Sequence, residues 1–268
     1  MNKKVVIYSS TTPSSVKTVR LLKRKLDKLG WTISEEYADD AQFLICIGGD
    51  GTFLEAVHKF DFPQIPIAGI NTGHLGFFQD LTPDKLDEFI FKISQQDFTI
   101  QELSTVEATV YLGQNDVLDI KALNEIAITA TSSRAVHLNL SIGGSFIERF
   151  SGDGIVTSSP AGSTAYNYSL GGSIVDPRLK LLQVTPIAPM NTTAYRSFTS
   201  SLMLPSNLSI CITPDMDPSP QSIQIKYDGY SHIYHDVRQL EINYSNTVIK
   251  LIRFDDYDFW SKVKSKFL

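Results

Sequence analysis

Phe43-Leu-Ile-Cys-Ile-Gly-Gly-Asp-Gly-Thr52 decides how the first part of the chain folds. Its five leading apolar residues read as a strand buried on both faces. Gly48 and Gly49 let the backbone turn sharply at the strand's end and approach a ligand with no Cβ in the way. A short helix is predicted from about Thr52. Backbone N–H groups in such a turn, with a helix N-terminus behind them, seat a phosphate, and in an open parallel sheet ligands gather at the carboxyl ends of strands. Asp50 is the odd member, because a carboxylate repels phosphate. Either it accepts a proton from an attacking hydroxyl, or it works through a cation, or it only caps the helix. The turn is not a GxxxxGK[ST] loop, since no lysine follows it, nor the GxGxxG turn of dehydrogenases.

The residues around this turn alternate strand and helix. Val5–Tyr8, a segment near Trp31–Tyr37 and Ile65–Ile70 read as strands. Val16, Val19, Leu22, Leu26 and Leu29 form one apolar stripe on a helix capped by Ser14 or Ser15 and closed by Gly30. Thr82-Pro83 opens a second helix carrying Leu86, Phe89, Ile90 and Ile93. Continuous apolar strands separated by helices predict an α/β, Rossmann-like part with a parallel sheet. After Phe98 the segments become short and alternating. Thr105–Leu112, Leu118–Ala130, Val136–Ile142, Leu208–Thr213, Ile223–Tyr227 and Leu240–Tyr244 read as antiparallel strands of an all-β sandwich, with Asp228-Gly229 as a hairpin turn. One helix starts near Ser163, and Tyr257–Leu268 reads as a helix returning to the first part. The expected domains are therefore 1–100 with 257–268, and 101–256.

A chain of 268 residues, 42% of them hydrophobic and 20% charged, has ample material for buried cores. A formal charge of −5 argues against a general nucleic-acid or membrane-surface binder, so an anionic ligand must be held by local devices. The two cysteines, Cys46 and Cys211, make no disulfide framework and no metal site. No apolar run is long enough for a membrane span, and the cytoplasm is the expected compartment.

Three further segments carry polar residues where packing alone does not ask for them. Asn71-Thr-Gly-His-Leu-Gly-Phe77 suits a tight ligand-facing loop, and Phe77-Phe78 reads either as a stacking surface or as a buried aromatic pair. Asn124-Glu125 interrupts an apolar stretch, where an amide and a carboxylate cost desolvation unless partnered; such acceptors suit ribose hydroxyls. Ser151–Gly172 is a strand, a small-residue loop and the start of a helix at Ser163-Thr-Ala-Tyr166, able to read a base or a ribose.

Together GGDGT, the NxGxLGF loop, the Asn-Glu pair and the segment Asp153-Gly…Ser159-Pro-Ala-Gly-Ser-Thr-Ala-Tyr166 resemble, in order, the NAD kinase family of the compact bacterial type. The resemblance implies ATP-dependent phosphorylation of the adenosine 2′-hydroxyl of NAD. Asp50 would be the base, and Gly48, Gly49, Gly51 and Thr52 would face phosphates. Asn124 and Glu125 would hold ribose hydroxyls, Asp153 a base or carboxamide edge, and Phe77 would lie near the adenine. Thr164, Ala165, Tyr166, Asn167 and Ser169 would line the dinucleotide site together with Gly51, Ala188 and Asp228. Mg²⁺ or another divalent cation would come with ATP, and a homodimer or homotetramer is implied. Ala161 and Ser151 depart from the family pattern, which usually has a hydroxyl at the first and often a base at the second. A lipid or sugar kinase sharing the GGDG turn, and a non-catalytic dinucleotide sensor, are the rival readings.

Overall fold

The computed structural model describes residues 3–131, 135–193, 196–215 and 222–267. Their contacts form two compact units, Met1–Glu102 with Val248–Leu268, and Leu103–Thr247. In the first unit β1 (Lys4–Ser9), α1 (Pro13–Lys28), β2 (Thr32–Ser34), β3 (Phe43–Gly48), α2 (Asp50–Lys59), β4 (Ile67–Asn71) and α3 (Leu86–Gln95) follow one another. The strands are parallel in the order β2-β1-β3-β4. Val5, Ile45 and Ile47 pack with Leu22 and Leu26 of α1 and with Leu86, Phe89 and Ile93 of α3. Every residue of β3 is buried, as its unbroken apolar run requires.

The start of α1 differs from the sequence reading. Pro13 occupies the first turn, where its fixed φ suits the helix and its missing N–H is no loss, so the cap falls on Thr12 rather than Ser14 or Ser15. Ser15 and Thr18 then lie on the buried face, while Val16 and Leu29 are exposed. The Ser15 hydroxyl is 2.6 Å from that of Thr72, which ties α1 to the loop after β4.

The second unit holds most of β5 (Thr99–Leu112), then β6 (Val117–Ala122), β7 (Glu125–Ala130), β8 (Val136–Ile142), β9 (Ser145–Gly152), β10 (Gly154–Ser158), the one-turn helix α4 (Tyr166–Ser169), β11 (Leu181–Ile187), β12 (Leu202–Pro205), β13 (Ile210–Pro214), β14 (Ile223–Tyr227), β15 (Tyr230–Tyr234) and most of β16 (Val237–Arg253). One layer is antiparallel in the order β12-β11-β10-β7-β14-β15. The other strings β9-β8-β13-β16 and joins β16 to β5 and β5 to β6. Ile128, Ile155, Val184 and Ile225 from the first layer meet Leu138, Phe150, Ile212 and Ile242 from the second in one buried core. The predicted strand Leu118–Ala130 is in fact two strands, broken at Leu123-Asn124. The break has a cause in the Asp228 side chain, which takes the backbone N–H groups of both residues at 2.6 and 2.7 Å. Asp228 and Gly229, both at positive φ (45° and 89°), form the two-residue hairpin turn between β14 and β15 that Asp-Gly announces.

The last residues of β16 and the closing helix α5 (Phe259–Phe267) belong to the first unit. Leu251 pairs parallel with Ile67 of β4. Arg253, 4% exposed, makes a two-pronged ion pair with Asp80 at 2.9 and 2.8 Å and donates to Gln101 and to the Phe77 carbonyl. Its guanidinium lies 3.6 Å from the centre of the Tyr257 ring. Lys262 completes the cluster, also pairing with Asp80. A buried pair of this kind adds little over an apolar substitute, but removing one partner strands the other in low dielectric. Arg253→Met leaves Asp80 with Lys262 alone and the Phe77 carbonyl without its guanidinium donor, and will lower the unfolding free energy by roughly 1–3 kcal/mol. Combining it with Asp80→Asn will cost less than the sum of the two single changes in urea denaturation; additive losses would show that the pair is not coupled.

Candidate active site

The turn Gly48–Thr52 is built as the sequence suggests, but Asp50 is not its helix cap. Gly49 holds the N-cap position, and no side chain caps the first turn of α2. Its leading N–H groups therefore lack an intrahelical acceptor, the arrangement that favours an anion. Thr52 is buried against Gly48, while Gly49 and Gly51 face open space. The Asp50 carboxylate reaches across to the loop after β4. Phe77 N–H donates to both of its oxygens at 3.0 Å, and Phe78 N–H donates to Oδ1 at 3.1 Å. Gly76 is required for this approach, since a Cβ there would lie 2.3 Å from Oδ1. The loop closes on itself through Asn71, whose amide donates to the His74 carbonyl and accepts from Gly73 N–H, both at 2.8 Å.

Phe77 and Phe78 are both buried. Phe78 stacks on Phe53 of α2 at 4.7 Å, and the Phe77 ring packs against Phe259 and Phe267 of α5. Of the two sequence readings of this pair, the buried aromatic one describes the rings, and what Phe77 offers to the turn is its amide. Sequence reasoning missed Arg253, Lys262 and Lys266, which bear on this loop from the end of the chain. Lys262 Nζ donates to the carbonyls of Gly76 (3.2 Å) and Gln79 (2.8 Å), and Lys266 Nζ lies 3.5 Å from Asp50 Oδ2. The available signal was the Lys262–Lys266 spacing, which puts both lysines on one helix face.

In the second unit the residues sort to two ends of the β7–β10 pair. At one end Ser158 opposes Glu125, and the loop after β10 folds back over the strand break. Ser159 N–H donates to the Asn124 carbonyl at 2.8 Å, and Gly162 sits so close that a Cβ would lie 2.0 Å from that oxygen. This brings Thr164, Ala165 and the 37%-exposed Tyr166 towards Glu125, whose carboxyl feels the Tyr166 N–H. Asn124 Oδ1 and Glu125 Oε2 are buried without a hydrogen-bond partner among the described residues. Asp228, joined to Leu123 and Asn124 as above, belongs to the same end. Asn167 is fully buried, and its amide serves Ser163, Ser173 and Thr185, so it holds the α4 turn; Ser169 hydroxyl caps the Tyr166 carbonyl.

At the other end, where Gly154 opposes Thr129, stand the exposed Asp153 and Ala188. Asp153 N–H donates to the Ile187 carbonyl at 2.9 Å, which keeps these two together. Four strand residues, roughly 13 Å, separate them from the Glu125 end. Within one chain, then, Asp153 and Ala188 do not join Asn124, Glu125, Tyr166 and Asp228. Ser151, which the family pattern often fills with a base, is fully buried, its hydroxyl 2.8 Å from His137 Nδ1.

A fold of a parallel-sheet unit and a β-sandwich, a glycine turn holding one carboxylate and a buried Asn-Glu pair together define a nucleotide phosphotransferase. Residues 7–98 match the ATP-NAD kinase N-terminal domain, and residues 123–254 match the ATP-NAD kinase C-terminal domain. An NAD kinase of Finegoldia magna is 38% identical over 271 residues, covering 100% of this chain and 99% of the relative. NAD kinase 1 of Oceanobacillus iheyensis is 34% identical, covering 100% and 98%. Among solved structures, yeast NADH kinase complexed with NADH superposes with a TM-score of 0.86 at 20% identity, over 98% of this chain and 86% of that one. An NAD kinase from Archaeoglobus fulgidus in complex with ATP gives 0.78 at 21% identity, over 98% and 99%. The chain belongs to the NAD kinase family.

Burial, and after it the neighbouring Asp228 carboxylate, push the Glu125 carboxyl up to about 8, against a smaller opposite effect of the Tyr166 N–H. Folded protein thus keeps a proton that the unfolded chain releases near the ordinary carboxylate range. Stability from this group is fully present at low pH and is lost as pH rises towards about 8, at up to about 1.4 kcal/mol per pH unit. Glu125→Gln removes the titration. Denaturant unfolding should show this variant roughly 1–3 kcal/mol more stable than wild type at pH 8 and nearly equal to it at pH 4. Parallel pH curves for the two proteins would contradict the assignment.

Proposed function

We propose that this protein transfers a phosphate from ATP to the adenosine 2′-hydroxyl of NAD, giving NADP, with Asp50 as the base that takes the hydroxyl proton. Membership of the family supports the reaction. The observation that supports the base is the placement of Asp50: a carboxylate at the head of an uncapped helix, held by loop amides rather than by its own helix. The Gly48, Gly49, Gly51 and Thr52 turn faces the phosphates. The Asn124 and Glu125 acceptors, buried and unpartnered, take the ribose hydroxyls; buried polar groups without partners are rare enough to mark a ligand position. Thr164, Ala165, Tyr166 and Ser169 line the dinucleotide with Asp228, Asn167 holding their turn. Residues 1–100 with 257–268 would carry the phosphate turn and 101–256 the dinucleotide residues.

Mg²⁺, which would neutralise phosphate charge, fits as a companion of ATP. This ion dehydrates reluctantly and is commonly held through substrate phosphates rather than in an all-protein cage. A homo-oligomer through the second unit would also give a use to its exposed edge strands, where Phe146, Ile147 and Ile233 stand out in solvent. No helix among the described residues is long and apolar enough to cross a membrane. We place the enzyme in the cytoplasm, where both nucleotide substrates are found.

Purified protein with ATP and Mg²⁺ should form NADP from NAD in a coupled assay, and should leave diacylglycerol and sugar phosphates unchanged. Turnover of either of those without NADP formation would move the acceptor. Asp50→Asn should lower kcat by about 10²–10⁴, the worth of general-base assistance, with the Kd for NAD within a few-fold. The asparagine Oδ1 can still accept from Phe77 and Phe78, but its Nδ2 would confront the Phe77 N–H, so a small loss of Tm is also expected. Retention of most of the wild-type kcat would leave Asp50 as the loop's anchor alone.

A further inference from the structure

The phosphate turn has no lysine of its own, and the chain as a whole is acidic. The fold supplies a cation from the far end of the sequence. Lys266 Nζ lies 3.5 Å from Asp50 Oδ2 and 4.7 Å from the centre of the Phe77 ring. Its position is set one helical turn earlier. Lys262, with its side chain 13% exposed, is fixed by the carbonyls of Gly76 and Gln79 and by Asp80, which Arg253 holds in turn. Residues four apart share a helix face, so the seating of Lys262 presents Lys266 to Asp50.

The Asp50 contacts show what that cation can do. Oδ1 accepts from both Phe77 and Phe78 N–H groups, whereas Oδ2 shares only the Phe77 N–H and then meets Lys266. A carboxylate has about four acceptor positions, and three donors, Phe77, Phe78 and Lys266, engage it, so the shared Phe77 N–H leaves room for one incoming hydroxyl. The adjacent ammonium gives Oδ2 a directional partner and so fixes which way it points. The pair is also one-third exposed, and such pairs contribute little to folding, so a structural need does not explain it.

We propose that Lys266 is a positioning residue for phosphoryl transfer, holding the Asp50 carboxylate with Oδ2 turned towards the acceptor hydroxyl. The proton passes from the hydroxyl to Asp50; Lys266 neither gives nor takes one. This rests on the reading of Asp50 as the base.

The test compares Lys266→Met and Lys266→Arg in the full-length wild-type and in Asp50→Asn. Lys266→Met should lower kcat roughly tenfold, as loss of orientation at a reacting group does, with KM for NAD and for ATP within twofold and Tm unchanged. Lys266→Arg should restore most of the rate. In the Asp50→Asn background Lys266→Met should add less than a twofold loss, because the group it acts through is already gone. Equal losses in both backgrounds, a raised KM for ATP with kcat kept, or no effect of Lys266→Met would each overturn the proposal. If Asp50→Asn itself stays active, the base assignment has failed and the proposal falls with it; an inactive Asp50→Asn beside a fully active Lys266→Met refutes the lysine alone.

Discussion

The hydrogen bonds from Phe77 and Phe78 N–H to the Asp50 carboxylate are the constraint on which the rest of the first unit depends. In a glycine turn whose helix has no side-chain cap, an element outside that helix engages the Asp50 carboxylate. The loop after β4 does so with two consecutive amides, charge-assisted bonds that are stronger than neutral ones. Several other features follow from this contact. Gly76 must lack a side chain, Asn71 must close the loop, and the loop itself must be gripped from outside. That grip comes from Arg253 and Lys262, whose cationic groups take the carbonyls of Gly76, Phe77 and Gln79 while sharing Asp80.

The second unit uses the same device for a different end. Asp228 also captures two consecutive amides, those of Leu123 and Asn124, and so breaks what would have been one strand into β6 and β7. The break leaves Asn124 outside both strands and sets Glu125 at the start of β7 opposite Ser158, and the Ser159–Gly162 loop closes over Asn124. The cost of placing Glu125 there is visible in its raised proton affinity, set by burial and by Asp228 itself. That cost, with one oxygen left unpartnered, is what makes Glu125 a candidate ligand position.

Much of this was legible in the sequence. The run Phe43–Ile47 and the stripe Leu86, Phe89, Ile90, Ile93 are decided by apolar periodicity, and the strand Val136–Ile142 by strict alternation. The hairpin at Asp228-Gly229 follows from turn chemistry. The break at Leu123 was not legible, because it is made by a side chain about a hundred residues away. The cap of α1 was misread because proline at the first position outranks the two serines behind it. At the glycine turn the motif singled out Asp50 as a candidate, but neither its partners in the loop nor the lysines of α5. The loop contacts span 27 and 28 residues and the lysine contacts more than 180, and no local pattern carries either.

The central claim is that one carboxylate seats the loop and thereby stands ready for catalysis. Hydrogen exchange at the Phe77 and Phe78 amides, in wild type and in Asp50→Ala, tests it most directly. Both amides should be protected in wild type and exchange faster in the variant by roughly one to two orders of magnitude, while those of β3 and β4 keep their protection. Equal protection of Phe77 and Phe78 in the two proteins would show that the loop is held without Asp50, and would contradict the claim.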